Sequence, residues 1–285
     1  MAIPRVAPPR VFPVAGHAPK PPTGGPADAH RQTSFVLGAD AELVVEGLTL
    51  EGAVAQAATG ARLRTQQLAS ALGLWSRAWL CRLEALHALE GGNYAAAVTL
   101  IRSATDFQAA QIYLLRQGAA EWLMWLEQGG IALAPEEHAT EYRLHAFRAA
   151  EVLAAPPILG PLYRMVMDLS MPHFGATLML AGSESTPGRV AITFGDRDFH
   201  LGLAELCLGW LLQLHVAQAH TLVEHAEVFG VTTPAALEDM ARQSAAAAAR
   251  DGRCTMEAVE REGIKRYLVH NWRRRPGSAS SKLLL

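Results

Sequence analysis

The sequence predicts an all-α protein: a single multi-helix bundle with at most one short β-hairpin or strand, and a disordered proline-rich N-terminal arm. Two observations carry that expectation. Hydrophobic residues make up 50% of the 285 positions and charged residues only 18%, with Ala and Leu dominant and aromatics at 7%. That is ample core material, and Ala and Leu lose little on entering a helix. Apolar residues also recur at three- and four-residue spacing over long stretches that Gly and Pro interrupt.

The elements follow in order. Residues 1–33 hold eight of the 16 prolines. Proline removes a backbone donor, so this arm is expected to be disordered or polyproline-like. Asp40 is a candidate cap for a helix through Leu43, Val44, Leu48 and Leu50 toward Ala58, which Gly60 would end. A long helix over 62–90 carries Leu68, Leu72, Trp75, Trp79, Leu83 and Leu86 on one stripe. Gly91-Gly92 stops it, and Asn93 caps a helix over 94–117 whose pattern continues through Trp122 and Trp125 to Gly129-Gly130. Pro135 opens a helix through Tyr142, Phe147 and Leu153, closed by Pro156-Pro157. Helices over 159–169 and from Met171-Pro172 to about Ala181 come next, the second with Ser170 as its N-cap. Residues 182–188 form a loop and 189–194 (RVAITF) the one expected strand. A long helix over 196–229 follows, then one over 235–250 behind Thr233-Pro234, and a last helix from Thr255 to about Trp272. The domain expectation is a disordered arm over 1–33, a helical bundle over 34–272 and a flexible basic tail over 273–285.

Charge bounds the partners. The formal net charge is -2, which gives no overall attraction to nucleic acid or an anionic membrane. From Arg250 onward, however, nine basic residues face four acidic ones, a local +5 against -7 for the remainder. This asymmetry fits an anionic partner or nucleic acid at the basic C-terminal region, or a tail that folds back on the acidic body. The partner itself is unknown, and a homodimer is open. Cys81, Cys207 and Cys254 show no metal or redox spacing and are expected to be reduced thiols in a cytoplasmic protein. No secretory leader is expected. The most apolar stretch, 201–223, contains Glu205, Gln213, His215, Gln218 and His220, so it is expected to be a core helix rather than a membrane span.

Two constellations are candidates for chemistry. Arg102 and Asp106 lie at i and i+4, so their side chains can meet, with Tyr113 on roughly the same face. They could stitch two helices or face a ligand. Downstream lie Tyr163, Ser170 and His173. With Ser170 as cap, His173 would enter a helix N-terminus, whose dipole favours a neutral imidazole that accepts protons. A capping serine beside a packing histidine fits equally. Glu84 and His87 form an ExxH pair, but a di-metal bundle needs a second ExxH and two more carboxylates. His215, His220 and His225, five residues apart, point in different directions around a helix. No metal or cofactor is expected.

The pattern Leu100-x-Arg102-x-x-x-Asp106, followed by Tyr163 and by Leu169-Ser170-x-x-His173, resembles uncharacterised helical families related to HEPN domains. The resemblance spans roughly 62–181. The acid is aspartate where glutamate is more typical, and the nuclease-like spacing Arg82-x-x-x-x-His87 lies early in the chain. The resemblance implies a helical binding or scaffold module of a bacterial defence or stress pathway, with Arg102, Asp106 and His173 at its pocket and Tyr163, Ser170 and Tyr113 beside it. The alternative it implies is an RNA-directed nuclease or other hydrolase, with His173 as general base and Arg102 stabilising phosphate charge.

Overall fold

The computed structural model describes residues 6–58, 65–116, 158–182, 184–185 and 188–285. The expected helix through 135–153 and the continuation past Gly118 lie outside them. Long helices form over most of the described stretches where the apolar stripe predicts them. They are α1 (Gly24–Ala57), α2 (Gln66–Glu90), α3 (Tyr94–Arg116), α4 (Leu159–Ser170), α5 (Phe174–Ala181), α6 (Leu201–Glu224), the single turn α7 (Ala226–Phe229), and α8 (Pro234–Ala248).

Local chemistry sets several of the boundaries. Thr65 accepts from the Leu68 amide at the start of α2 (3.3 Å), and Asn93 Oδ1 accepts from the Ala96 amide at the start of α3 (3.3 Å). Between them Gly92 has φ +72, and a Cβ there would lie 2.1 Å from the Arg197 carbonyl, so this tight α2–α3 turn requires glycine. Pro234 begins α8, where a missing N–H costs nothing.

Helix α6 is the axis of the molecule and packs against α1, α2, α3, α4, α8 and the sheet. It is long and apolar enough to cross a membrane, yet 83% of its most apolar window is buried inside the bundle. Leu206, Leu208, Leu211, Leu212 and Leu214 are all nearly inaccessible, so every face of this helix is a core face.

Several expectations are corrected. The arm is ordered from residue 6: residues 6–23 run without helix along the bundle, and α1 begins at Gly24, well inside the segment expected to be disordered. Asp40 lies in the middle of α1 and caps nothing. Its buried carboxylate receives Arg250 and Arg253 instead. Residues 189–194 make no strand beyond an isolated bridge at Arg189.

The expected last helix is β-structure. β1 (Thr255–Arg261) and β2 (Ile264–Trp272) pair antiparallel, from Thr255 opposite His270 to Arg261 opposite Ile264. The turn residues Glu262 (φ 56) and Gly263 (φ +76) are both left-handed, the geometry of a two-residue type I′ hairpin turn. β3 (Ser281–Leu284), in the segment expected to be a flexible tail, adds to β2 across a bulge that Asn271 accommodates at φ 52. The protein is thus a helical bundle carrying a small three-stranded antiparallel sheet in the order β1-β2-β3.

The sheet is bolted to α6. The Leu201 and Gly202 amides, orphans at the helix start, donate to the carbonyls of Arg274 and Arg273 at 2.9 Å each. Glu205, only 8% exposed, accepts from the Cys254 amide (2.9 Å) and from Arg273 (3.1 Å). Arg253 bridges the Glu205 carbonyl and the Asp40 carboxylate (2.6 Å). Arg274 pairs with Glu184 and Asp198. Four of the nine basic residues of the C-terminal region are therefore spent on the acidic body, the fold-back arrangement.

Candidate functional site

The deepest polar centre joins three helices. Glu51 of α1, Arg82 of α2 and His215 of α6 are 0%, 1% and 2% exposed. Each sits in phase with an apolar stripe, so helix formation alone drives it inward: Val44, Leu48 and Glu51 share one face of α1, and Trp75, Trp79 and Arg82 one face of α2. Arg82 donates to both carboxylate oxygens of Glu51 (2.7 and 2.5 Å), Trp75 Nε1 donates to one (3.0 Å) and His215 Nδ1 to the other (2.9 Å). Four donors on one carboxylate outweigh its loss of water. Burial alone would raise the Glu51 pKa, but the Arg82 charge and these hydrogen bonds hold it at about 2. Gly47 makes room for the ring, because a Cβ there would come within 2.6 Å of His215.

Above this centre lies a cleft of about 290 Å³, lined by Leu72, Trp75, Trp79, Leu80, Ala55 and Glu51, with residues 10–13 of the arm across it. Trp79 turns its N–H inward to the Leu48 carbonyl (2.8 Å), leaving an indole face as wall. The arm is held at fixed points. Pro13 fills the hollow over Gly52, where a Cβ would meet it at 2.4 Å. His87 Nε2 donates to the Gly16 carbonyl (2.8 Å), and the Ala18 amide donates to buried Glu90 (2.7 Å). His17 bridges Glu90 (2.5 Å) and Glu42 (2.9 Å). Burial works against the charged imidazole, but these two carboxylates outweigh it and raise the His17 pKa above 6.5. Arg10, at the mouth, has no ion-pair partner among the described residues.

The residues singled out from sequence lie elsewhere. Arg102 Nε and Asp106 approach to 4.0 Å on α3, an ion pair too long to be a hydrogen bond. Tyr163 of α4 feels both charges. Asp106 keeps 41% of its side-chain surface, yet partial burial pushes its carboxyl up to about 6 against the pull of Arg102. Tyr113, on the same helix, is 5% exposed. Ser170 caps no following helix: it closes α4 and donates to the Met167 carbonyl (2.8 Å). His173 is the exposed N-cap residue of α5 and makes no side-chain cap bond. Among the described residues, no hydrogen bond or ion pair links His173 to Arg102 or Asp106.

Arg82 and His87, five residues apart on α2, serve separate partners: the first holds Glu51, the second the arm. Glu84 meets His87 at 3.7 Å, and no group of three or more His, Cys, Asp or Glu side chains suited to a metal exists among the described residues. The centre of Glu51, His215 and the two tryptophans was missed in sequence. Its signal was there, as charged residues falling on the apolar stripe rather than opposite it. The chain matches no protein-family model, no curated protein and no solved structure.

Proposed function

We propose that this protein is a non-catalytic binding module whose ligand is a small molecule with an apolar body and an anionic end, held in the cleft beneath the arm. The observation that supports it is the pairing of apolar walls with a charged floor whose charge is already answered. Leu72, Trp75, Trp79 and Ala55 offer a surface that an apolar body would cover. Glu51 is committed to four donors and stays ionised, so it has neither a proton to give nor a lone pair placed for a substrate. Arg10 at the mouth supplies the opposite charge for an acidic end. A cleft of about 290 Å³ is at the low end of ligand sites, which run roughly 300–1,000 Å³.

The test is titration with anilinonaphthalene sulfonate, an apolar anion, followed by energy transfer from the tryptophans. Saturable one-to-one binding is expected. Ala55→Trp, which fills the cleft, should abolish it, and Arg10→Glu should weaken it about threefold, the scale of an exposed ion pair. Unchanged binding in both variants would remove this function.

A second proposal, a hydrolase site at Arg102 and Asp106, is favoured by one observation. A carboxyl pushed up to about 6 is suited to accept a proton near neutral pH. It requires RNA or ester cleavage that Asp106→Asn abolishes while the fold stays intact.

A further inference from the structure

Helices α3 and α6 run parallel in a fixed register. The His200 amide donates to the Tyr94 hydroxyl, Gln108 Nε2 donates to the Leu214 carbonyl, and Arg116 pairs with Glu224, at separations of 106, 106 and 108 residues. The same offset sets Gln111 level with Ala217 and Gln218, and Gln108 one turn below, level with Leu214 and His215. All four polar residues are in the core: Gln108, Gln111 and Gln218 are 0% exposed and His215 is 2% exposed.

Their polar atoms are not satisfied by protein. Gln108 Oε1, both amide atoms of Gln111, both of Gln218 and His215 Nε2 are enclosed and without a hydrogen-bond partner. The inventory balances. The two carboxamides of Gln111 and Gln218 bring four N–H donors, and the three Oε1 atoms of Gln108, Gln111 and Gln218 bring the acceptors. Buried polar groups in folded proteins find a partner nearly always, and five orphaned carboxamide atoms on adjacent turns of α3 and α6 are far from that norm.

We infer that the α3–α6 seam is a binding site for neutral guests of about water size that both donate and accept hydrogen bonds: ordered water, or a small carboxamide of the same chemistry. An ion is excluded by charge. The three glutamines that line the seam carry no charge to balance it. An apolar guest would leave the amides unpaired, at the full cost of their desolvation. Waters bridging two to four polar groups are the usual solution to such a site. This site is independent of the cleft under the arm, since Gln108, Gln111 and Gln218 line none of that cleft.

The experiment is water–protein cross-relaxation spectroscopy on the full-length, nitrogen-labelled chain. Gln111→Met and Gln218→Met, near-isosteric variants, assign the side-chain amide signals and each keep the other amide in place. Cross-peaks from both carboxamides to long-lived water are expected, with the Gln111 signal still water-coupled in Gln218→Met. A saturable shift of these amides on adding formamide, with loss of the water cross-peaks, identifies the carboxamide source. No such shift identifies water. Direct contact between the two amides, with neither water cross-peaks nor a formamide response, overturns the inference.

Discussion

Replacing Arg82 with methionine isolates the energetics of the buried centre. The side chain keeps its length and apolar stem but withdraws the charge from a Glu51 that is fully enclosed. Breaking a buried pair from one side typically costs about 3–5 kcal/mol, because the remaining charge is stranded. The depressed pKa of Glu51 gives a value of the same order. A carboxyl held at about 2, against 4.5 when free, is worth roughly 3 kcal/mol at about 1.4 kcal/mol per pH unit. The sign is fixed by the direction of the shift. The folded pKa lies below the unfolded one, so this stability is fully present above pH 4.5 and lost as pH falls through about 2. Urea unfolding at neutral pH should therefore place Arg82→Met about 3–5 kcal/mol below the natural protein. The double replacement Glu51→Leu/Arg82→Met should recover most of that loss, since an apolar pair of similar volume needs no hydration. A loss under about 1 kcal/mol in the single variant, or a double variant no better than the single, would refute the reasoning.

Three further outcomes follow from other titratable groups. His200 caps α6 by accepting from the Leu203 amide and lies 4.3 Å from the Trp272 ring, and burial lowers its pKa to about 4. Its contribution is complete above pH 6.5 and fades as pH falls toward 4, so His200→Asn, which keeps a capping acceptor, should flatten the pH dependence of urea midpoints in that window. His17, raised above 6.5, anchors the arm most firmly below that pH and releases it as pH rises through the folded value. Exchange of the Ala18 amide, corrected for its intrinsic rate, should be slower at pH 6 than at pH 8, and Glu90→Gln should remove the difference. Cys81 is partly exposed, whereas Cys207 is buried with its thiol pushed up to about 12. Alkylation of native protein should thus modify Cys81 alone, with Cys207 reacting only on unfolding; equal rates would contradict the packing around α6.

What was legible in the sequence was what is periodic. Among the described residues, apolar spacing gave most of the helices, the limits at Gly91-Gly92 and Pro234, the Asn93 cap and the core role of α6, because each depends on residues within one or two turns. Residues 255–272 were misread because their apolar positions satisfy a helical spacing about as well as a two-residue one. The deciding feature is the Glu262-Gly263 turn, in which both residues are left-handed so that the strands can pair. The proline-rich arm was misread for a related reason. Its prolines favour no helix before Gly24, and the placement of residues 16–18 comes from His87, Glu90 and Glu42, which are far away in the chain.

The candidate site divides along the same line. Arg102 and Asp106 were visible together because a single helix sets them one turn apart. Glu51, Arg82 and His215 come from three helices, and nothing local connects them. The sequence by itself determined that each of these charged or polar groups would be carried inward on an apolar face. Only the tertiary structure decided which would meet, because a charge taken out of water must find its partner in whatever helix packs against it.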